Sequence, residues 1–196
     1  MKDQKPRDIA KIQPKSFFYC TTYLAPGNYH RFHSPTDCEL SYRRYFTGKL
    51  LSVSPLLARV VPGLFSVNER VVYFGNWKHG FFTFTVVGAT NVGNIRVYSD
   101  STLPQNRDHQ KLDLIGRRKE GEALKMSKNQ PVTWEKKLSP VIKLSRGQLF
   151  GKFNLGSTIV LIFEAPYDFK FKIKSGDTVR MGSALWSIYN RCQSST

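Results

Sequence analysis

Acidic residues are scarce in this chain. Fourteen Asp plus Glu stand against 30 Lys plus Arg, giving a formal net charge of +16 over 196 residues. An imbalance that large calls for an anionic partner: nucleic acid, an anionic membrane or an acidic protein. Cysteine is rare too. Cys20, Cys38 and Cys192 are odd in number and their spacing matches no zinc motif, so they read as reduced structural thiols, not a disulfide framework. Only four histidines occur. His30 and His33 lie three apart, but neither His79 nor His109 stands in a Cys or carboxylate pattern that would supply a further ligand, so no metal site is expected. No run approaches the 18 apolar residues that a bilayer span requires. The first residues lack the apolar core of a secretory signal and the Arg- and Ser-rich amphipathic pattern of a transit peptide. Work at a membrane would then be from the side, or through a segment outside this chain.

What the chain does contain is enough apolar material for a core, 40% of residues, of which aromatics are a large part. Residues 1–15 read as a basic, flexible arm, and 16–196 as one folded unit. Ser16–Leu24 is a strand by its aromatic and Thr content. Ser41–Val53 alternates well enough for pairing, with Thr47-Gly48 as a hairpin turn. Pro55–Val61 suits a short helical turn. Glu69–Phe74 and Phe81–Val87 are strands joined by a hairpin through 76–80, and Asn94–Tyr98 is another. Residues 100–146, rich in Lys, Arg, Gln and Asn with little periodicity, read as a polar insertion. Strand structure is expected to resume at Gly151. In the tail, the glycines at 176 and 182 suit tight turns between short strands, a punctuation that resembles lipoyl and biotinyl domains. The fold class expected is mostly β: a sandwich or barrel of short strands with few short helices.

Residues 153–166, FNLGSTIVLIFEAP, hold the most informative junction. Ile159–Phe163 reads as a buried strand, and Gly156-Ser157-Thr158 stands at its mouth. A strand-entry turn explains a glycine and two hydroxyls there by itself. Three other stretches change that reading. Tyr-Leu-Ala-Pro-Gly-Asn-Tyr-His-x-x-His-Ser-Pro at 23–35, Asn68-Glu69-Arg70-Val71 and Val87-Gly-Ala-Thr-Asn-Val-Gly93 precede Leu155-Gly156-Ser157-Thr158 in order. Together they resemble the phosphatidylserine decarboxylases, most closely the mitochondrial type of animals, from about Phe18 to Leu185.

That resemblance implies a proenzyme that cuts itself between Gly156 and Ser157. The Ser157 hydroxyl would attack the Gly156 carbonyl, exchanging the amide for an ester. β-Elimination would free the carboxylate end of residues 1–156 and leave a dehydroalanine at 157, which water would hydrolyse, with loss of ammonia, to a covalent pyruvoyl group. Adjacency matters, because well-oriented groups reach effective molarities on the order of 10⁵–10⁸ M. The pyruvoyl cofactor would act as the electron sink that converts phosphatidylserine to phosphatidylethanolamine, as pyridoxal phosphate does elsewhere. His33 corresponds to the family's base for self-cleavage and His30 to its proton carrier in decarboxylation; imidazole suits both roles. The implied partners are phosphatidylserine, an anionic membrane surface and the paired cleavage products, at the mitochondrial inner membrane, with a homodimer left open. Phe17, Phe18, Tyr19 or the tail aromatics could line an acyl-chain groove, or simply pack in the core.

The chain departs from the family in one respect. The family's orienting aspartate, in an Asp-Gly context, lies some tens of residues before the histidines. Here only Asp3 and Asp8 precede His30, and neither is followed by glycine. Losing the orienting carboxylate of a serine-protease triad costs about 10⁴ in rate. On that scale slow maturation is expected, and the chain reads as the C-terminal part of a proenzyme. The alternative function is a truncated or inactive relative that binds anionic lipid or a full-length partner. Binding of single-stranded nucleic acid fits the composition, but no motif calls for it, so no nucleic-acid partner is expected.

Overall fold

The computed structural model describes residues 14–90, 95–103, 132–154 and 156–187. They are mostly β. The strands are β1 (Lys15–Leu24), β2 (Arg31–His33), β3 (Cys38–Phe46), β4 (Arg70–Trp77), β5 (Gly80–Val87), β6 (Ile95–Val97), β7 (Thr133–Leu144), β8 (Leu149–Phe153), β9 (Ser157–Pro166), β10 (Lys170–Phe171) and β11 (Trp186–Ser187). Two short helices, α1 (Pro55–Val60) and α2 (Leu64–Val67), lie between β3 and β4. Ser54 caps α1, its hydroxyl accepting the Leu57 amide at 3.4 Å, and Pro55 opens the helix where its missing N–H costs nothing.

An antiparallel six-stranded sheet runs in the order β1-β9-β5-β4-β3-β7, with edges at β1 and β7. A three-stranded sheet, β2-β8-β6, lies against it, and β10 pairs with β11. The alternation in β5 and β9 sends Phe82, Phe84, Leu161 and Phe163 inward. There Phe84 meets Phe32 and Phe150 of the small sheet, with ring centroids 5.7 and 5.2 Å apart. Fully burying such a side chain contributes about 1.5–3 kcal/mol, so this aromatic layer holds the two sheets together. Phe163 also packs on Phe169, Phe171 and Trp186, which anchors the tail.

Several expectations meet specific outcomes. The β4–β5 hairpin forms, turning through Lys78 and His79 with Gly80 at φ 120°. Thr47-Gly48 makes no hairpin: β3 pairs with β4 and β7 instead. Gly48 serves a close approach, since a Cβ there would sit 2.5 Å from the Val67 carbonyl oxygen and the Glu69 nitrogen. Residues 133–144, inside the stretch read as a polar insertion, form the long edge strand β7. Phe18 is half-buried against Phe163 and Phe169, whereas Phe17 and Tyr19 are exposed. Cys20 and Cys38 are buried free thiols, both pushed up in pKa by burial. Most of the basic arm, residues 104–131 of the insertion, His109 and Cys192 lie outside the described residues.

Gly75 is a sensitive position. It lies opposite Leu40 beside the register shift in β3, and a Cβ would overlap the Glu39 backbone carbonyl. Backbone cannot step aside as a flexible side chain can. Gly75→Ala is expected to cost about 1–3 kcal/mol. In urea titrations that lowers the midpoint by about 1 M, given a slope of about 1–3 kcal/mol/M.

Candidate functional site

Residue 157 is the first residue of β9, where that strand is sandwiched between β1 and β5. Ser157 pairs with Leu24, and Thr158 pairs with Tyr23 on one side and Val87 on the other. Both side chains are fully buried. The Ser157 hydroxyl donates a hydrogen bond to the Val87 carbonyl. Gly156 just before it has no room for a side chain: a Cβ would lie 2.5 Å from the Leu24 carbonyl oxygen and 3.0 Å from the Pro26 nitrogen.

All four sequence motifs meet here. The first supplies Leu24–Pro26 beneath Gly156 and then turns, with the Asn28 amide donating to the Ala25 carbonyl and the Asn28 side chain accepting the Ala25 amide, both at 2.8 Å. The second supplies Asn68, which is fully buried. Its side-chain amide donates to the carbonyls of Leu51 at 2.7 Å and Gly88 at 2.9 Å, and its carbonyl oxygen accepts the Leu51 amide at 3.2 Å. The third motif therefore has its start, Val87-Gly88, fixed by Asn68 on one side and Ser157 on the other. A cleft of about 250 Å³ opens over Gly156, lined by Tyr23, Pro26, Ser52, Ala89 and Thr90 among others. A larger hollow, about 520 Å³, lies around Asp37, Asn76 and Lys143, away from these motifs.

Glu69 is also buried. Burial pushes its carboxyl up, and a hydrogen bond with Tyr45 draws it part of the way back. Burial, with the Glu69 charge beside it, pushes the Tyr45 hydroxyl well above its ordinary range.

The histidines are held in opposite ways. His30 Nε2 lies 2.8 Å from the Pro26 carbonyl, which can only accept, so this nitrogen carries the proton. In the neutral ring the lone pair then sits on Nδ1, a buried atom without a hydrogen-bond partner among the described residues. In His33 it is Nδ1 that donates, to the Gly147 carbonyl at 2.8 Å, leaving Nε2 as the basic nitrogen. Nε2 accepts the Tyr29 hydroxyl at 3.0 Å, and the two rings stack. His30 is thus joined to Gly156 through Pro26, which both touch. His33 is tied instead to the turn before β8, and the Ser157 hydroxyl bonds to Val87, not to either imidazole. His79 packs edge-on against Trp77 in the β4–β5 turn.

A group built at position 157 fits these surroundings. The cleft reaches Gly156, and His30 Nδ1, whose ring bonds the Pro26 carbonyl at the cleft's edge, is a buried polar atom without a hydrogen-bond partner among the described residues. Among the described residues, no three His, Cys, Asp or Glu side chains cluster closely enough to hold a metal ion, and no helix is long and apolar enough to cross a membrane. The structural parts of Asn68 and Val87 were not foreseen from residue type. Their signal lay in the motifs that contain them.

The phosphatidylserine decarboxylase family model matches residues 2–187. The chain is 46% identical over 187 residues to the mitochondrial phosphatidylserine decarboxylase proenzyme of Cricetulus griseus and 49% identical over 186 residues to that of Pongo abelii. Each match covers 95% of this chain and 42% of the relative. Proenzyme 2 of Schizosaccharomyces pombe is 48% identical over 178 residues, covering 89% of this chain and 32% of its own. The chain therefore spans about two fifths or less of the length of these curated relatives. By its family match and these identities, the chain belongs to the phosphatidylserine decarboxylase family.

Proposed function

We propose that this chain carries the self-processing and decarboxylating centre of a pyruvoyl-dependent enzyme that converts phosphatidylserine to phosphatidylethanolamine. The observation that carries the reading is the convergence of four separated motifs on the Gly156-Ser157 junction, where Gly156 lines the cleft and Ser157 is buried. Ser157 Oγ has to leave the Val87 carbonyl and turn onto the Gly156 carbonyl carbon, one residue back. Gly156 leaves that carbon open to attack, having no side chain. His33, with Nδ1 held by Gly147, presents Nε2 as a base once Tyr29 releases it. His30, held by Pro26, keeps a buried lone pair on Nδ1 that can take and return a proton beside the cleft. The carbonyl that Ser157 becomes supplies the electron sink for loss of CO₂.

The sandwich or barrel reading of the two packed sheets, with a lipoyl-like tail, belongs to this proposal, as do an anionic membrane surface, a mitochondrial inner-membrane site and a homodimer. The relatives' mitochondrial names support the location.

Intact mass spectrometry tests the reading. Self-processing divides the chain after residue 156, giving pieces of 156 and 40 residues, the smaller beginning with a blocked end. A second reading, an uncut relative that binds anionic lipid, is favoured by the engagement of Ser157 with Val87 and of both His33 nitrogens. A lasting full-length mass, with no phosphatidylethanolamine formed from phosphatidylserine vesicles, would select that second reading.

A further inference from the structure

The small sheet carries a row of charge of one sign. In the registers of β2-β8-β6, Arg31 lies opposite Lys152, and Lys152 lies opposite Arg96. Directly opposed residues in antiparallel strands share a face. Phe32, Gly151 and Val97, the next set along, are buried on the inner side. The three cations therefore stand side by side on the outer side, where Arg31 and Arg96 are exposed and Lys152 is half-buried. Strand spacing makes the row about 10 Å long.

Like charges placed directly opposite each other destabilise a sheet. Among the described residues no ion pair relieves this row. The ion pairs there join Arg43 to Asp100, Arg44 to Glu135 and Lys143 to Glu39, and none involves these three cations. Arg96 lies over the ring of Tyr98, which is 44% exposed. Tyr29, also half exposed, stands one residue before His30. The row adjoins the candidate site: Arg31 lies between His30 and His33, and Phe153, next to Lys152, donates its amide to the His30 carbonyl at 2.9 Å.

We propose that Arg31, Lys152 and Arg96 form the surface that this protein sets against an anionic phospholipid bilayer, their common ligand being headgroup phosphates. The choice of lipid over other anions rests on the proposed function. It also follows from the flanking tyrosines, whose amphipathic rings suit a membrane interface. A flat row of cations meets a plane of phosphates more evenly than it meets one small ion. It also brings the bilayer to β2, which ends on His33 and which His30 directly precedes.

The test uses the full chain with Ser157→Ala and vesicles of phosphatidylcholine with one third phosphatidylglycerol. This lipid cannot be decarboxylated, so failure of the docking surface and failure of the proposed chemistry are read separately. Each cation near an anionic surface changes partitioning by about fivefold. The triple change Arg31→Gln, Lys152→Gln, Arg96→Gln is expected to weaken vesicle binding by about 10²-fold. A control that loses the same charge from exposed Lys170, Lys172 and Lys174 is expected to lose much less. Thermal stability of the row variant should be unchanged or higher, because like-charge repulsion is relieved. If the triple variant does not fold, Lys152→Gln alone, with about a fivefold loss, carries the test. Equal losses in row and control variants would overturn the proposal. So would displacement by millimolar inorganic phosphate at matched ionic strength, which marks a single-phosphate site. Row-dependent binding to a single-stranded oligonucleotide stronger than to vesicles would replace lipid by nucleic acid.

Discussion

Ser157→Ala is expected to leave one uncut chain of 196 residues and no phosphatidylethanolamine from phosphatidylserine. Under the proposed function, both cleavage and decarboxylation depend on this one hydroxyl. Alanine has no oxygen to attack the Gly156 carbonyl, so the chain stays whole. Without that cut no carbonyl arises at position 157, and the substrate carboxylate has no electron acceptor nearby. The loss should reach the uncatalysed background, a factor of at least about 10⁶ for an ordinary enzyme. The fold should survive. The side chain is buried and its lost contact is a single hydrogen bond to Val87. Losing the hydroxyl leaves the Val87 carbonyl short of one partner, at a cost of about 1–3 kcal/mol. Circular dichroism and a urea titration of the same sample therefore separate lost chemistry from lost structure. Ser157→Thr sharpens the experiment. Its hydroxyl can still attack, but the extra methyl has to enter a filled site, and any keto group formed would be one carbon larger than pyruvoyl. Mass spectrometry of the smaller piece reads that difference directly. Pyruvoyl-level activity from the alanine variant would end the proposed mechanism.

The strands that sequence patterning identified best are those buried on at least one face. β5 and β9 announce themselves by β-branched and aromatic runs, and the β4–β5 hairpin by the polar turn between two such runs. β7 was missed for a physical reason. It is an edge strand, and Lys136, Lys137 and Lys143 keep its outer surface polar while Pro140 removes one amide. Those features protect an edge from pairing with other chains, and they also make it look like a loop. At the site, Gly156, Ser157, His30 and His33 were legible because they sit in motifs whose order is distinctive. Their mutual geometry was not. Sequence spacing cannot show that His30 grips Pro26, that Gly156 rests against that same proline, or that Asn68 reaches the loop holding the Ser157 hydroxyl. The first is a local contact four residues apart, fixed by how the 26–30 turn folds, and the other two join residues 20 or more positions apart.

Asp100→Asn is expected to be the most damaging single change to stability away from the cleft. Arg43 and Asp100 are almost completely buried, and their closest atoms are 2.5 Å apart. The carboxylate also accepts Tyr73 at 3.0 Å and the Thr102 hydroxyl at 2.8 Å, joining β3, β4 and the chain after β6. Burial alone would push this carboxyl up. The hydrogen bonds from Thr102, Arg43 and Tyr73 and the Arg43 charge outweigh it and hold the carboxyl below its usual range. Asparagine keeps the shape but leaves the Arg43 guanidinium as an uncompensated buried cation, at a cost of about 3–5 kcal/mol. For a chain of this size that lowers the melting temperature by about 10 °C. The pH dependence gives an independent reading. A carboxyl depressed on folding stabilises above its unfolded value of about 3.9, and that stabilisation disappears as pH falls through the lower folded value. The gap between wild type and variant should therefore be full at neutral pH and narrow below about pH 4. Replacing both partners, Arg43→Met with Asp100→Leu, should recover much of the loss, because a well-packed apolar pair avoids the desolvation of both charges. A double variant no more stable than Asp100→Asn would mean that the pair is needed for the shape of its hydrogen bonds and not for balance of charge.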